Sequence, residues 1–91
     1  MTTVRLPTPL RAYAEGKKEV KVEAGTVADA LQALTQLHPN LSQHLFDSQG
    51  DLRLYVNLYV NDENMRDLQG VETQVENGDR LMIVPSIAGG L

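Results

Sequence analysis

Gly89 and Gly90, side by side after the apolar run Leu81 to Val84 and the proline that follows it, are the residues of this 91-residue sequence best suited to chemistry. Glycine has no Cβ and adopts almost any backbone angle, so a pair near a chain end forms a thin, unhindered segment that can thread a narrow channel. The tail Ser86-Ile87-Ala88-Gly89-Gly90-Leu91 follows the strand with no long linker between them. Extended, it reaches roughly 20 Å. A terminal carboxyl held this way enters another protein's active site while the body stays outside. The plain alternative is a frayed chain end, and the position directly after a core strand is what argues against it.

Other reactive groups are sparse. The sequence has no cysteine, which removes disulfides, thiolate catalysis, thiolate metal sites and iron-sulfur ligation together. His38 and His44 match neither the i,i+4 helical pair nor a zinc motif, and Pro39 breaks the helix between them, so no metal site is expected. No nucleophile or carboxylate constellation accompanies His38. Its expected place is the last turn of a helix, beside the terminal carbonyls. A classical enzyme is not expected.

Ninety-one residues make one domain, too short to enclose a large cofactor. With a net charge of -4 and a pI near 4.9, the long-range field repels nucleic acid and anionic lipid and favours a basic partner surface. The start, MTTVRLPTPL, lacks a basic region followed by an apolar run, and no stretch approaches the length needed to span a bilayer. A cytoplasmic protein is expected, with neither nucleic acid nor membrane as a partner.

The elements that position the tail follow from the hydrophobic pattern. Thr3 to Leu6 alternates as a short strand and stops at Pro7-Thr8-Pro9, after which Leu10 and Tyr13 are expected to fold back over the core. Gly16 with Lys17 predicts a hairpin turn, and Glu19 to Ala24 alternates polar and apolar as a half-buried second strand. Lys17, Lys18 and Lys21 lie here, where charge discourages edge pairing. Thr26 caps the main helix with Asp29 in its first turn, and Val27, Leu31, Leu34 and Leu37 form its apolar face opposite Asp29, Gln32 and Gln36. Leu41, Leu45 and Phe46 predict a partial helical turn over one end of the core, before a turn at Asp47 to Asp51. Leu54 to Val60 is the strongest strand signal, with Leu54, Val56, Leu58 and Val60 on one face and Tyr55, Asn57 and Tyr59 on the other. Asn61 to Asn64 is a turn, Met65 to Leu68 a short edge strand, Gly70 to Glu76 a loop, and Asn77-Gly78-Asp79 a tight turn into the last strand, Arg80 to Val84.

One helix and a mixed sheet of four to five strands, with the last strand beside the first at the centre, make an α+β fold of β-grasp, ubiquitin-like type. The domain covers residues 1–85 and the tail 86–91. In this arrangement Leu81 and Ile83 point toward the helix with Val20, Val22, Val56, Leu58, Leu31 and Leu34, while Met82 and Val84 face away. Tyr55, Tyr59, Met82 and Val84 are then a candidate partner-docking patch, weighed equally against ordinary scattered exposure.

The opening strand with Pro7-Thr8-Pro9-Leu10-Arg11, the run Val56 to Glu63 with Arg66, Asn77-Gly78-Asp79, and Pro85 to Gly90 resemble the MoaD/ThiS sulfur-carrier family along essentially the whole chain, most of all its CysO branch. The C-terminal motif is the specific part. The resemblance implies that Gly90 is the site of sulfur attachment, with Ile87, Ala88, Gly89 and Gly90 threading the partner's active site. It implies a ubiquitin-activating-type adenylyltransferase that consumes ATP, after which the carboxyl becomes a thiocarboxylate. A carboxylate is a poor electrophile, so it must first be joined to AMP before sulfur attacks the acyl carbon, and a side chain there would crowd both steps. No cofactor would be bound by this chain. A CysO-like carrier would offer its sulfur to a pyridoxal-phosphate-dependent synthase holding an activated serine; MoaD-like and ThiS-like carriers supply molybdopterin or thiazole. Leu91 departs from the mature pattern, because it leaves the Gly90 carbonyl as an amide. Its removal by a zinc metalloprotease, whose metal-bound water attacks the Gly90-Leu91 bond, is expected. Two rivals from other classes are a protein modifier joined through Gly90 to target lysines and a plain β-grasp binding module in which the tail is incidental.

Overall fold

The computed structural model describes residues 1–53 and 56–85. Strand β1 (Thr2–Arg5) buries Thr2 and Val4 and turns Arg5 to solvent. Pro7 and Pro9 end the strand and start a helix, since a proline's fixed φ suits a first helical turn. Helix α1 (Thr8–Arg11) follows at once and runs into a 3₁₀ turn at Ala12–Ala14. Leu10 folds over the core as expected. Tyr13 does not enter it: the side chain stays 38% exposed and lies against His44, with ring centroids 4.2 Å apart. Gly16 takes φ +80, yet the turn there closes a longer helical excursion, and Leu6 N–H donating to Lys18 O ties its two ends at 2.8 Å.

Strand β2 (Glu19–Val22) pairs antiparallel with β1 and lies at the sheet edge, with Lys21 exposed on it. Helix α2 (Val27–Leu37) begins where Thr26 Oγ1 accepts the Asp29 N–H at 3.1 Å. Its buried face is Val27, Ala30, Leu31 and Leu34, whereas Leu37, expected on that face, is 59% exposed. The reason lies in the helical period. The stripe 27, 31, 34 steps next to 38, so His38, the C-cap, occupies the buried place. A 3₁₀ turn at Pro39–Leu41 and helix α3 (Ser42–Leu45) then close one end of the core with Leu41 and Leu45 fully buried and Phe46 packed beside them.

Strand β3 (Val56–Val60) turns Val56, Leu58 and Val60 inward; Leu54 and Tyr55, which the sequence adds to this strand, lie outside the described residues. Asn61 and Asp62 both take left-handed φ, +49 and +76, a two-residue hairpin connection that matches strand twist. Because that turn is so short, the returning edge strand is β4 (Glu63–Asn64), and not Met65 to Leu68 as the sequence suggests. Met65–Asp67 is instead a 3₁₀ turn, capped by the Asn64 side chain accepting from Arg66 N–H at 2.9 Å, with Met65 buried. After a further turn at Gly70–Glu72 and the Asn77-Gly78-Asp79 turn, where Gly78 takes φ +89, the chain enters strand β5 (Arg80–Pro85).

Strand β5 runs through the sheet centre, parallel to β1 and antiparallel to β3, in the order β2-β1-β5-β3-β4. This is a β-grasp fold with a five-stranded mixed sheet. Leu81 and Ile83 meet Val20, Val22, Val56, Leu58, Leu31 and Leu34 in one buried cluster between sheet and helix.

Candidate docking face and the root of the tail

Strand pleating sends alternate side chains of β5 to opposite sides. On the side without a helix, Met82 is 41% exposed and Val84 half-buried. In register across the sheet, Met82 lies between Arg5 of β1 and Tyr59 of β3, while Val84 faces Asn57. Two shallow cavities flank Met82. One, of about 180 Å³, is lined by Thr3, Arg5, Tyr59 and Arg80 among others, and one of about 200 Å³ by Leu6, Pro7, Arg11 and Val84. Of the four residues read from sequence as a docking patch, Tyr59, Met82 and Val84 are thus brought together on one face. Tyr55 lies outside the described residues.

The charge of this face differs from that of the whole chain. Alternation places Arg5, Arg80 and Lys21 here with Glu19, although the net charge of the protein is -4. An apolar centre ringed by Arg5, Arg80 and Lys21, with Glu19 and Asp62 among them, is suited to a partner surface that combines apolar groups with charges of both signs. The sequence reading did not single out Arg5 or Arg80; parity within β5 was the signal for Arg80, whereas Arg5 is brought beside Met82 only by the pairing of β1 with β5.

Hydrogen bonds pin the start of β5. Asn61 Nδ2 donates to Asp79 Oδ1 at 3.0 Å, Arg80 N–H donates to Asn61 Oδ1 at 2.9 Å, and Glu76 N–H donates to Asp79 Oδ2 at 2.8 Å. Thr3 N–H reaches Asp79 O at 3.1 Å, and the terminal amine of Met1 donates to Asn77 Oδ1 at 2.8 Å. The Asn61 amide, and after it the Glu76 N–H, holds the Asp79 carboxyl below its usual range, because both donors favour the charged form. At the opposite end of β5, Val56 of β3 pairs with Pro85. Beside it, Arg66 Nε donates to Asn57 Oδ1 at 3.0 Å and a terminal guanidinium nitrogen to Val56 O at 3.3 Å. The start of β5 is therefore braced directly, and its end through the ladder to β3, whose Val56 and Asn57 the Arg66 side chain holds.

No group of three or more His, Cys, Asp or Glu that could hold a metal occurs among the described residues, and no described helix is long and apolar enough to cross a membrane. His44 packs on Tyr13, and its Nε2 is buried with no hydrogen-bond partner among the described residues. Ile87, Ala88, Gly89, Gly90 and Leu91 lie outside the described residues.

A family model described as the ThiS family matches residues 4–90. The chain belongs to the ThiS family. It is 38% identical over 90 residues to the sulfur carrier protein CysO of Mycobacterium tuberculosis, covering 97% of each chain. It is 32% identical to small archaeal modifier protein 1 of Haloferax volcanii, covering 87% of this chain and 90% of that one. Its fold matches a chain in the crystal structure of the Amycolatopsis orientalis BexX/CysO complex with a TM-score of 0.89 at 36% identity, covering 99% of this chain and 100% of that chain. This ThiS-family protein is accordingly a sulfur carrier and not a catalyst. The braces have a clear use in such a carrier. The Asn61–Asp79 and Asn57–Arg66 pairs are made by residues of the motifs that carry the family resemblance; the first pins the start of β5 and the second holds β3, its antiparallel neighbour.

Proposed function

We propose that this chain carries sulfur as a thiocarboxylate on Gly90, in the cytoplasm, for a biosynthetic acceptor of the cysteine or homocysteine type. The observation that carries the reading is the setting of β5: a central strand, paired on both sides and braced at both ends, that reaches Pro85 five residues before Gly90. A domain of residues 1–85 so built presents the tail 86–91 from a rigid base.

The chemistry proceeds in three steps on one acyl group. A peptidase of the zinc metalloprotease class adds water across the Gly90-Leu91 amide, releasing leucine and leaving a Gly90 carboxylate. A ubiquitin-activating-type adenylyltransferase joins that carboxylate to AMP and expels pyrophosphate from ATP. Hydrosulfide then attacks the acyl carbon and displaces AMP, giving the thiocarboxylate. ATP and every catalytic group belong to partners, and this chain binds no cofactor of its own. The face around Tyr59, Met82 and Val84 is the surface that docks them. A pyridoxal-phosphate-dependent synthase is the sulfur acceptor that fits the CysO-like resemblance. Support for Gly90 as the working end comes from the family match, which stops at residue 90.

Mass spectrometry of the chain purified from its native cell tests this. The expected result is loss of one leucine, followed by exchange of one oxygen for sulfur on Gly90. An intact, unmodified Leu91 under sulfur limitation would overturn it. The similarity to small archaeal modifier protein 1 favours one second reading, in which the same activated Gly90 is joined to target lysines. Isopeptide-linked species of high mass that vanish in Gly90→Ala would select it.

A further inference from the structure

On the helix side of the sheet, away from the docking face, a groove of about 530 Å³ runs between α2 and the loop that follows α3. Its volume falls within the roughly 300–1,000 Å³ typical of ligand pockets. The floor is apolar: Leu31, with half-buried Phe46, Leu52 and Val71 packed against the core. Asp47 and Asp51 stand on the rim, and among the described residues no Lys or Arg lines the groove. Adjacent in sequence to lining residues are two exposed carboxylates, Asp29 and Glu72, and one cation, Arg53, whose Nε is turned to Gln43 O at 3.0 Å. Neither Asp47 nor Asp51 forms an ion pair among the described residues.

The acidic wall is preformed. Asp47 Oδ1 accepts the N–H groups of Gln49 at 2.9 Å and Asp51 at 3.1 Å, Gly50 N–H donates to Asp47 O at 3.0 Å, and Asp47 N–H donates to Asp51 O at 2.8 Å. A wall already closed on itself loses little conformational freedom when a ligand arrives.

We propose that this groove docks a segment of a partner protein in which an apolar anchor is flanked by lysine or arginine. The anchor covers the Phe46, Leu52 and Val71 floor, and the cations meet Asp47 and Asp51. Charge complementarity selects this occupant: the described lining of the groove has carboxylates and no cation, whereas the docking face mixes Arg5 and Arg80 with Glu19 and Asp62, so the two surfaces recruit differently charged partners. Since they lie on opposite sides of the sheet, both can be held at once. A carrier that passes cargo between enzymes gains from this, because the next partner can engage before the last one leaves.

The test is a nitrogen-15 NMR titration of the full chain with a short amphipathic peptide bearing leucines one helical turn apart and flanking lysines, beside its lysine-to-glutamate counterpart. Saturable shifts are expected at Ala28, Gln32, Ser48 and Val71 with the lysine peptide and not with the glutamate peptide. Among the described residues the Asp51 carboxylate accepts no hydrogen bond, so Asp51→Lys should weaken binding by roughly fivefold, and Ala28→Arg should do the same by blocking the groove. Equal response to both peptides, shifts centred on Tyr59 and Met82, or absence of saturation would each overturn the proposal. So would groove shifts that follow protein concentration without peptide, which indicate a second copy, or that follow deletion of residues 86–91, which indicate the chain's own tail. Met82→Asp separates this inference from the carrier reading, since it should leave peptide binding intact while impairing adenylation.

Discussion

Leu81 and Ile83 are 0% and 1% exposed, and Met82 between them is 41% exposed. One strand thus presents a sealed side to the helix and an open side to partners, divided by nothing more than the pleat. The comparison teaches that stability and recognition are written on alternate residues of β5. A change on one side should leave the property governed by the other side nearly untouched.

Leu81→Ala is the sharpest way to break that comparison. It removes a fully buried side chain facing Val56, Leu58 and the helix, and should cost about 2–5 kcal/mol, a large part of the roughly 5–15 kcal/mol that holds a domain together. Urea unfolding measures it; a loss below about 1 kcal/mol would mean the core relaxes around the gap. Met82→Asp should do the reverse. Its unfolding midpoint should match that of the parent, while adenylation by the activating enzyme falls by about tenfold or more, because a charge replaces the apolar centre of the docking face. An equal loss of stability would show that Met82 belongs to the core.

The smallest effect concerns the brace at the foot of β5. Asp79→Ala deletes the acceptor for Asn61 Nδ2 and Glu76 N–H and should cost about 1 kcal/mol at neutral pH, less in high salt because the site faces solvent. Since the folded carboxyl titrates below its usual value, its charge-dependent stabilisation is present above the ordinary carboxylate range and is lost as pH falls through the lowered value. The gap between parent and variant should therefore narrow in acid. A gap independent of pH would assign the effect to turn geometry alone.

Much of the fold was legible because its signals are local. The period-two runs in β2, β3 and β5, the Thr26 cap and the Asn77-Gly78-Asp79 turn each act within a few residues, and each appears where the pattern puts it. Leu37 was misplaced because the apolar stripe leads on to position 38, and a histidine there reads as polar until its burial is seen. The edge strand at Glu63–Asn64 is too short to carry a period of its own. The open face of β5 could be read from parity, but Arg5 beside Met82 could not be singled out without the pairing of β1 with β5.

By itself the sequence determined which residues alternate, where the main helix starts, and that a glycine pair follows the last strand, since propensity, capping and pleat depend on neighbours along the chain. Only the tertiary structure decided that Asn61 meets Asp79, that Arg66 braces Asn57, and that an acid-rimmed groove opens between α2 and the Asp47–Asp51 turn. Those contacts join residues distant in sequence, and distance across a folded sheet is set by strand order and register, which no local pattern encodes.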